Sequence, residues 1–115
     1  MENAFHEWLN ESLPKSPRTQ VGVGDDAAVL DWLGQHECVV TSDMLADGVH
    51  FVLADVDAKQ VGRKCLAVNL SDMAAMGARP VAAVVSLMLP ATSSPALAQQ
   101  LLAGMLPLAA QFDTA

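Results

Sequence analysis

Tyrosine is absent from this 115-residue chain, and its whole aromatic complement is Phe5, Trp8, Trp32, Phe51 and Phe112. A core must therefore be built from Ala, Val, Leu and Met. Cysteine is almost as scarce. Cys38 and Cys65 are too few for a disulfide scaffold and read as buried thiols of a reducing cytosol, so a cytoplasmic location is expected. Basic residues are also few: six against thirteen acids, for a net charge of −7. That sign excludes sequence-independent binding to DNA or RNA phosphates. It also sets the chain against an anionic membrane surface. The longest apolar run, Val81 to Leu89, is interrupted by Ser86 and is too short to span a bilayer. Met1 to Trp8 holds neither a basic leader nor an apolar stretch, so no signal peptide is expected. What remains as a partner is a cation, or an anion bridged by cations.

The chain is 52% hydrophobic and only 17% charged, which places it with folded domains rather than disordered ones. Its length suits one domain. Residues 2–13 read as an amphipathic helix with Phe5, Trp8, Leu9 and Leu13 on one side, ended by Pro14. Residues 14–19 form a proline-bearing connector. Val21 to Leu33 reads as extended chain interrupted at Asp25-Asp26. Glu37 to Ser42, with Cys38-Val39-Val40-Thr41 at its centre, reads as a strand. Asp43 to Asp57 is a long acidic loop, and a loop of that length inside a compact domain is usually functional.

Ala58 to Ala78 is predicted to be a helix, with Gly77 and Pro80 to stop it. Val81 to Leu89 is predicted to be a strand buried on both faces. Ser94-Pro95 then reads as an N-cap and first helical residue. The helix behind it carries Leu97, Leu101, Met105, Leu108 and Phe112 on one stripe, with a kink expected at Pro107. The order of elements suggests an α+β or α/β layer, and an α+β fold is expected, with a mixed or antiparallel sheet, helices packed on one face, and sheet edges open to pairing.

Every aspartate except Asp113 lies between Asp25 and Asp72, and Glu37 is the sole glutamate in that window. A short carboxylate side chain suits a rigid oxygen cage for a hard cation. Asp31, Asp55 and Asp57 also suit turns and caps. Asp72 differs. At about 100° per residue it joins Val61, Cys65, Val68 and Met76 on one helical stripe, with Lys59, Arg63 and Lys64 off it and Asn69 beside it. A carboxylate on an apolar face must be paired, metal-bound, or set to cap backbone N–H groups of another element. Asp25 and Asp26 are neighbours in extended chain and point to opposite faces, so one of the two reaches a given site. Thr41-Ser42-Asp43 offers hydroxyl, carboxylate and carbonyl oxygens at a strand end, a set suited to magnesium.

Gly22-x-Gly24-x-x-Ala27 is a loose match to a dinucleotide fingerprint, but a proline-bearing connector precedes it and two carboxylates stand where phosphate would sit. No Gly-x-x-x-x-Gly-Lys loop is present, so a nucleotide here would be held through metal ions. His50 follows Asp47-Gly48-Val49 without a metal-spaced histidine partner. His6 and His36 extend no motif.

Three segments together carry a resemblance. They are Gly22-Val23-Gly24-Asp25-Asp26-Ala27-Ala28-Val29, then Thr41-Ser42-Asp43-Met44-Leu45-Ala46-Asp47-Gly48-Val49-His50-Phe51, then Asn69-Leu70-Ser71-Asp72-Met73-Ala74-Ala75-Met76-Gly77-Ala78. In order and spacing they resemble the amino-terminal domain of the thiamine-monophosphate kinase family, within an ATP-binding superfamily that includes aminoimidazole ribonucleotide synthetase and selenide water dikinase. The resemblance spans Val21 to Pro90, and the Gly-Val-His-Phe ending of the second segment favours the kinase over its relatives.

The resemblance implies phosphoryl transfer from ATP to thiamine monophosphate, by direct in-line attack, with several Mg²⁺ ions. It implies Asp26 as a metal ligand, with Asp25 as the adjacent alternative. It implies Asp43 as a ligand assisted by Thr41 and Ser42, and Asp72 as a ligand between the two phosphate groups. Asp43 and Asp72 would be the catalytic pair, and His50 would contact thiamine monophosphate. The family is longer, with a second domain and a Gly-Gly-Asp-Thr segment that supplies nucleotide contacts downstream of Ala115. Residues 1–115 are therefore expected to be an incomplete amino-terminal ATP- and metal-binding domain, inactive alone, that pairs through its sheet into a homodimer. Two alternatives stand beside this: a related enzyme acting on another small substrate, and a non-enzymatic metal-binding module.

Overall fold

The computed structural model describes residues 2–32, 34 and 36–115, and these divide into two compact units. The first unit holds the first helix, three strands and the segment Asp72–Ala78. Helix α1 covers Glu2–Ser12, one residue short of its expected end, and Pro14 follows. Phe5 and Trp8 stack with ring centroids 5.8 Å apart. Both stay more than half exposed, so this helix shows its apolar face to solvent.

Strands β1 (Thr19–Val21), β2 (Ala28–Trp32) and β3 (His36–Val40) form an antiparallel sheet in that order. The expected extended stretch thus begins earlier, inside the connector, and is broken at residues 22–27 where the two acids sit. Its end, Leu33, lies outside the described residues. β2 and β3 pair in unbroken register from Ala28 opposite Val40 to Trp32 opposite His36. The β1–β2 register shifts between Thr19 and Val21. Ala27 and Val29 are buried, whereas Asp31 faces Glu37 across the ladder with both exposed.

The second unit comprises Asp43–Ser71 and Arg79–Ala115. Helix α2 spans Ala58–Ala75, its last residues belonging to the first unit. Asp57 caps it, its Oδ1 accepting the Lys59 N–H at 3.0 Å. The helix ends earlier than the expected Ala78 because Gly77 takes φ +64°. The Ala78 N–H then reaches back to the Met73 carbonyl at 2.8 Å, and the Gly77 N–H to the Ala74 carbonyl at 3.0 Å. Those two bonds satisfy carbonyls that a helix end otherwise leaves orphaned.

Helix α3 spans Pro95–Gln111 and continues past Pro107. Ser94 stands before it in extended conformation, yet its side chain makes no capping hydrogen bond. Of the stripe read from the sequence, Leu101, Met105 and Leu108 are buried and Leu97 half-buried, while Phe112 at its end is 45% exposed. Leu101 packs with Ala58 and Val61, flanked by Phe51, Leu53, Cys65, Leu89 and Leu97. Met105 and Leu108 pack with Leu66. A Cβ on Gly62 would overlap the Leu101 carbonyl, and one on Gly104 the Lys59 carbonyl, so the two helices touch backbone to backbone at these residues.

Val81 to Leu89 is not the doubly buried strand that its hydropathy predicts. Val84 is 97% and Met88 94% exposed, and no ladder forms along the run among the described residues. A strand exists only where a neighbour takes its N–H and C=O groups. Here the one neighbour is Ala115, which donates to the Val81 carbonyl at 3.0 Å and accepts from the Ala83 N–H at 2.8 Å. Such a pair about Ala82 is parallel pairing, with α3 as the crossover. Three helices and an antiparallel three-stranded sheet make the fold α+β, as expected.

Candidate functional site

Within the first unit, three of the expected site residues meet at one hydroxyl. Thr41, one residue past β3, is half-buried. Its Oγ1 lies 3.2 Å from the Asp26 main-chain carbonyl and 3.2 Å from Asp72 Oδ2. A hydroxyl carries one proton, so it satisfies one of these acceptors at a time. Carbonyl, hydroxyl and carboxylate then hold more lone pairs than protons, which is the donor chemistry that a hard cation takes. Oxygens of this kind are the ones that a magnesium ion takes.

Asp72 reaches this point because of its place on α2. It is half-buried on the stripe that begins with buried Val61 and continues through half-buried Cys65 and Val68. Its partner is the Thr41 side chain rather than a run of backbone N–H groups. Asn69, beside the same face, spends its side chain locally by donating to the Cys65 carbonyl at 2.9 Å. Asp25 likewise serves its own turn: its Oδ1 accepts the Asp26 N–H at 2.8 Å, just after Gly24 at φ +112°. Of the two neighbours, Asp26 is the one joined to Thr41, and through its backbone. Ser42 and Asp43 are exposed. Among the described residues, no three His, Cys, Asp or Glu side chains stand together as a ready metal cluster.

His50 lies in the second unit, in a turn closed on itself. The Ala46 N–H donates to His50 Nδ1 at 2.9 Å, which puts the ring proton on Nε2. His50 and Val49 donate main-chain N–H bonds to the Ala46 carbonyl, and Gly48, at φ +78°, donates to the Phe51 carbonyl. Asp47 Oδ1 accepts the Leu53 N–H at 2.8 Å, so this aspartate is a turn residue. His50 lines a cleft of about 230 Å³ with Phe51, Val56, Gln60, Val61 and Lys64. Gln60 and Lys64 escape a sequence reading that seeks acids and motifs. Their only signal is a place on α2 one and two turns after a loop that carries a candidate contact.

Residues 24–115 match the family described as AIR synthase related protein, N-terminal domain. A thiamine-monophosphate kinase of Rhodopirellula baltica is 38% identical over the whole chain, which covers 39% of that protein. The thiamine-monophosphate kinase of Mycobacterium tuberculosis is 44% identical over 74% of this chain and 25% of its own length. Among solved structures, a thiamine-monophosphate kinase from Stenotrophomonas maltophilia matches 97% of this chain with a TM-score of 0.64 and 38% identity. This chain covers 34% of that one. The chain thus spans well under half the length of each relative.

Proposed function

The chain belongs to the family of AIR synthase related proteins, as their N-terminal domain, and from that premise we propose that it carries the acidic half of an ATP-dependent kinase acting on thiamine monophosphate. The product is thiamine diphosphate. The observation that carries this reading is the Thr41 hydroxyl shared between the Asp26 carbonyl and the Asp72 carboxylate, in a chain similar to proteins named for that reaction.

ATP and thiamine monophosphate are both anions, and a chain of net charge −7 meets two anions only where cations intervene. Magnesium bound here would supply that neutralisation for in-line transfer between the two phosphate groups. The residues that would hold it are Asp26, with Asp25 as its neighbouring alternative, and Thr41, Ser42, Asp43 and Asp72. Thr41 orients the Asp72 carboxylate through its hydroxyl. His50 offers Nε2–H to thiamine monophosphate, its other nitrogen being taken by Ala46. Asp43 and Asp72 are the catalytic pair of this proposal.

Calorimetric titration of the chain with ATP, with and without Mg²⁺, tests the reading. The expected outcome is nucleotide binding that requires Mg²⁺ and is weakened at least about tenfold in Asp72→Asn and Asp43→Asn. Unchanged binding in both variants would sink the proposed roles. Tight Mg²⁺ binding that ignores nucleotide would point instead to a metal-binding module.

A further inference from the structure

The cleft beside His50 holds a cation that the proposed reaction has not used. Lys64 is exposed on α2, off its apolar stripe. An exposed lysine ordinarily leaves its ammonium in bulk water, because fixing so long a side chain costs rotamer entropy. Lys64 instead donates from Nζ to the His50 main-chain carbonyl at 2.5 Å and lines the same cleft as His50.

Apart from the Leu53 N–H that Asp47 Oδ1 accepts, the other hydrogen bonds of this turn run within it. Ala46 to His50 Nδ1, His50 and Val49 to the Ala46 carbonyl, and Gly48 to the Phe51 carbonyl all join residues 46–51 to one another. They fix the shape of the turn without tying it to a helix. Phe51 packs against the Ala58, Val61 and Leu101 cluster, which seats the turn but, being non-directional, does not set its rotation. Among the described residues, Lys64 provides the hydrogen bond from this turn to α2. It is charge-assisted, and so stronger than a neutral bond.

We propose that Lys64 is the positioning residue for His50. By gripping the His50 carbonyl it sets the rotation of the turn, and with it the direction in which Nε2–H meets the cleft. The effect on substrate binding rests on the reading of His50 as the contact to thiamine monophosphate; the effect on the ring does not.

Site-resolved ¹⁵N NMR of the His50 imidazole in the full chain tests both. In the wild type, the ring nitrogens are expected to show one tautomer, protonated at Nε2. In Lys64→Met the ring is expected to keep that tautomer through the Ala46 bond, while its shifts move because the turn rotates against the cleft, and in Lys64→Arg they are expected to return. Affinity for thiamine monophosphate, followed in the same samples, is expected to fall about tenfold in Lys64→Met and to recover in Lys64→Arg. Circular dichroism identifies any variant that has failed to fold, and His50→Ala supplies the reference for lost contact. Unchanged ring shifts in folded Lys64→Met overturn the proposal. A wild-type chain that does not bind thiamine monophosphate, or binds it equally as His50→Ala, overturns the functional reading instead, and the ring shifts still decide the role of Lys64.

Discussion

At the scale of single residues, the position of Asp72 is legible because helical periodicity alone puts a carboxylate among Val61, Cys65 and Val68. Its partner is not legible, because Thr41 lies 31 residues away in sequence and periodicity says nothing about what a helix face meets. The same holds for Asp25: adjacency says that one of two carboxylates turns away, and only the structure shows Asp25 bonded to the next amide. Removing the shared hydroxyl should expose its two duties. Thr41→Val is expected to lower stability by about 1 kcal/mol in urea unfolding, and to weaken Mg²⁺-dependent ATP binding in calorimetry. Thr41→Ser should restore most of both. Equal nucleotide binding in wild type and Thr41→Val would make Thr41 a structural residue only.

Cys65 gives the chain a second residue-scale signature. Burial pushes its thiol up, and the Lys64 ammonium and its own backbone partly offset that. As pH rises, the unfolded thiol therefore ionises before the folded one. Stability is untouched below the ordinary thiol range and declines as pH climbs from the unfolded toward the folded value. Alkylation of Cys65, followed against pH by mass spectrometry, should reach half its maximal rate at a higher pH than a small free thiol does. A midpoint at or below the free-thiol value would contradict the burial.

At the scale of elements, the helices were readable apart from their last residues, and the run Val81–Leu89 was not. Helices α1, α2 and α3 carry their own hydrogen bonds, so apolar spacing and local stop signals such as Pro14 and Gly77 suffice to mark them. A strand borrows its partners, and apolar composition reports only that a surface seeks cover. Glycine is where the helix pair shows an unexpected constraint. Nothing in sequence separates Gly62 and Gly104 from ordinary helix-weakening glycines, yet each stands against a backbone carbonyl of the other helix. Alanine normally favours a helix over glycine by roughly 1 kcal/mol. Here Gly62→Ala and Gly104→Ala are expected to lower the denaturation midpoint instead, because overpacking costs roughly 1–3 kcal/mol of stability. A rise in midpoint would show that the helices part freely.

At the scale of the whole molecule, acidity and exposed apolar surface pull in different directions. A net charge of −7 favours dispersal, while Val81, Val84 and Met88 stand largely uncovered on a run that, among the described residues, joins no sheet ladder. Sedimentation at low salt should show less association than at high salt, where charge repulsion is screened. The double variant Val84→Lys with Met88→Lys should abolish association at both, with an unchanged helical signal. Persistent association of that variant would shift attention to Phe5 and Trp8 on α1.

The backbone contact at Gly62 also bears on how a mutational survey of this chain would read. Gly62 offers no side-chain chemistry, but it sits two residues from both Gln60 and Lys64 on the helix that walls the His50 cleft. A methyl group there must push α2 away from α3, and the wall moves with the helix. In a deep scan scored by ligand binding, Gly62 would rank beside His50 and Lys64 and look like a contact. It is a spacer: the distance between two main chains is what the scan would have measured.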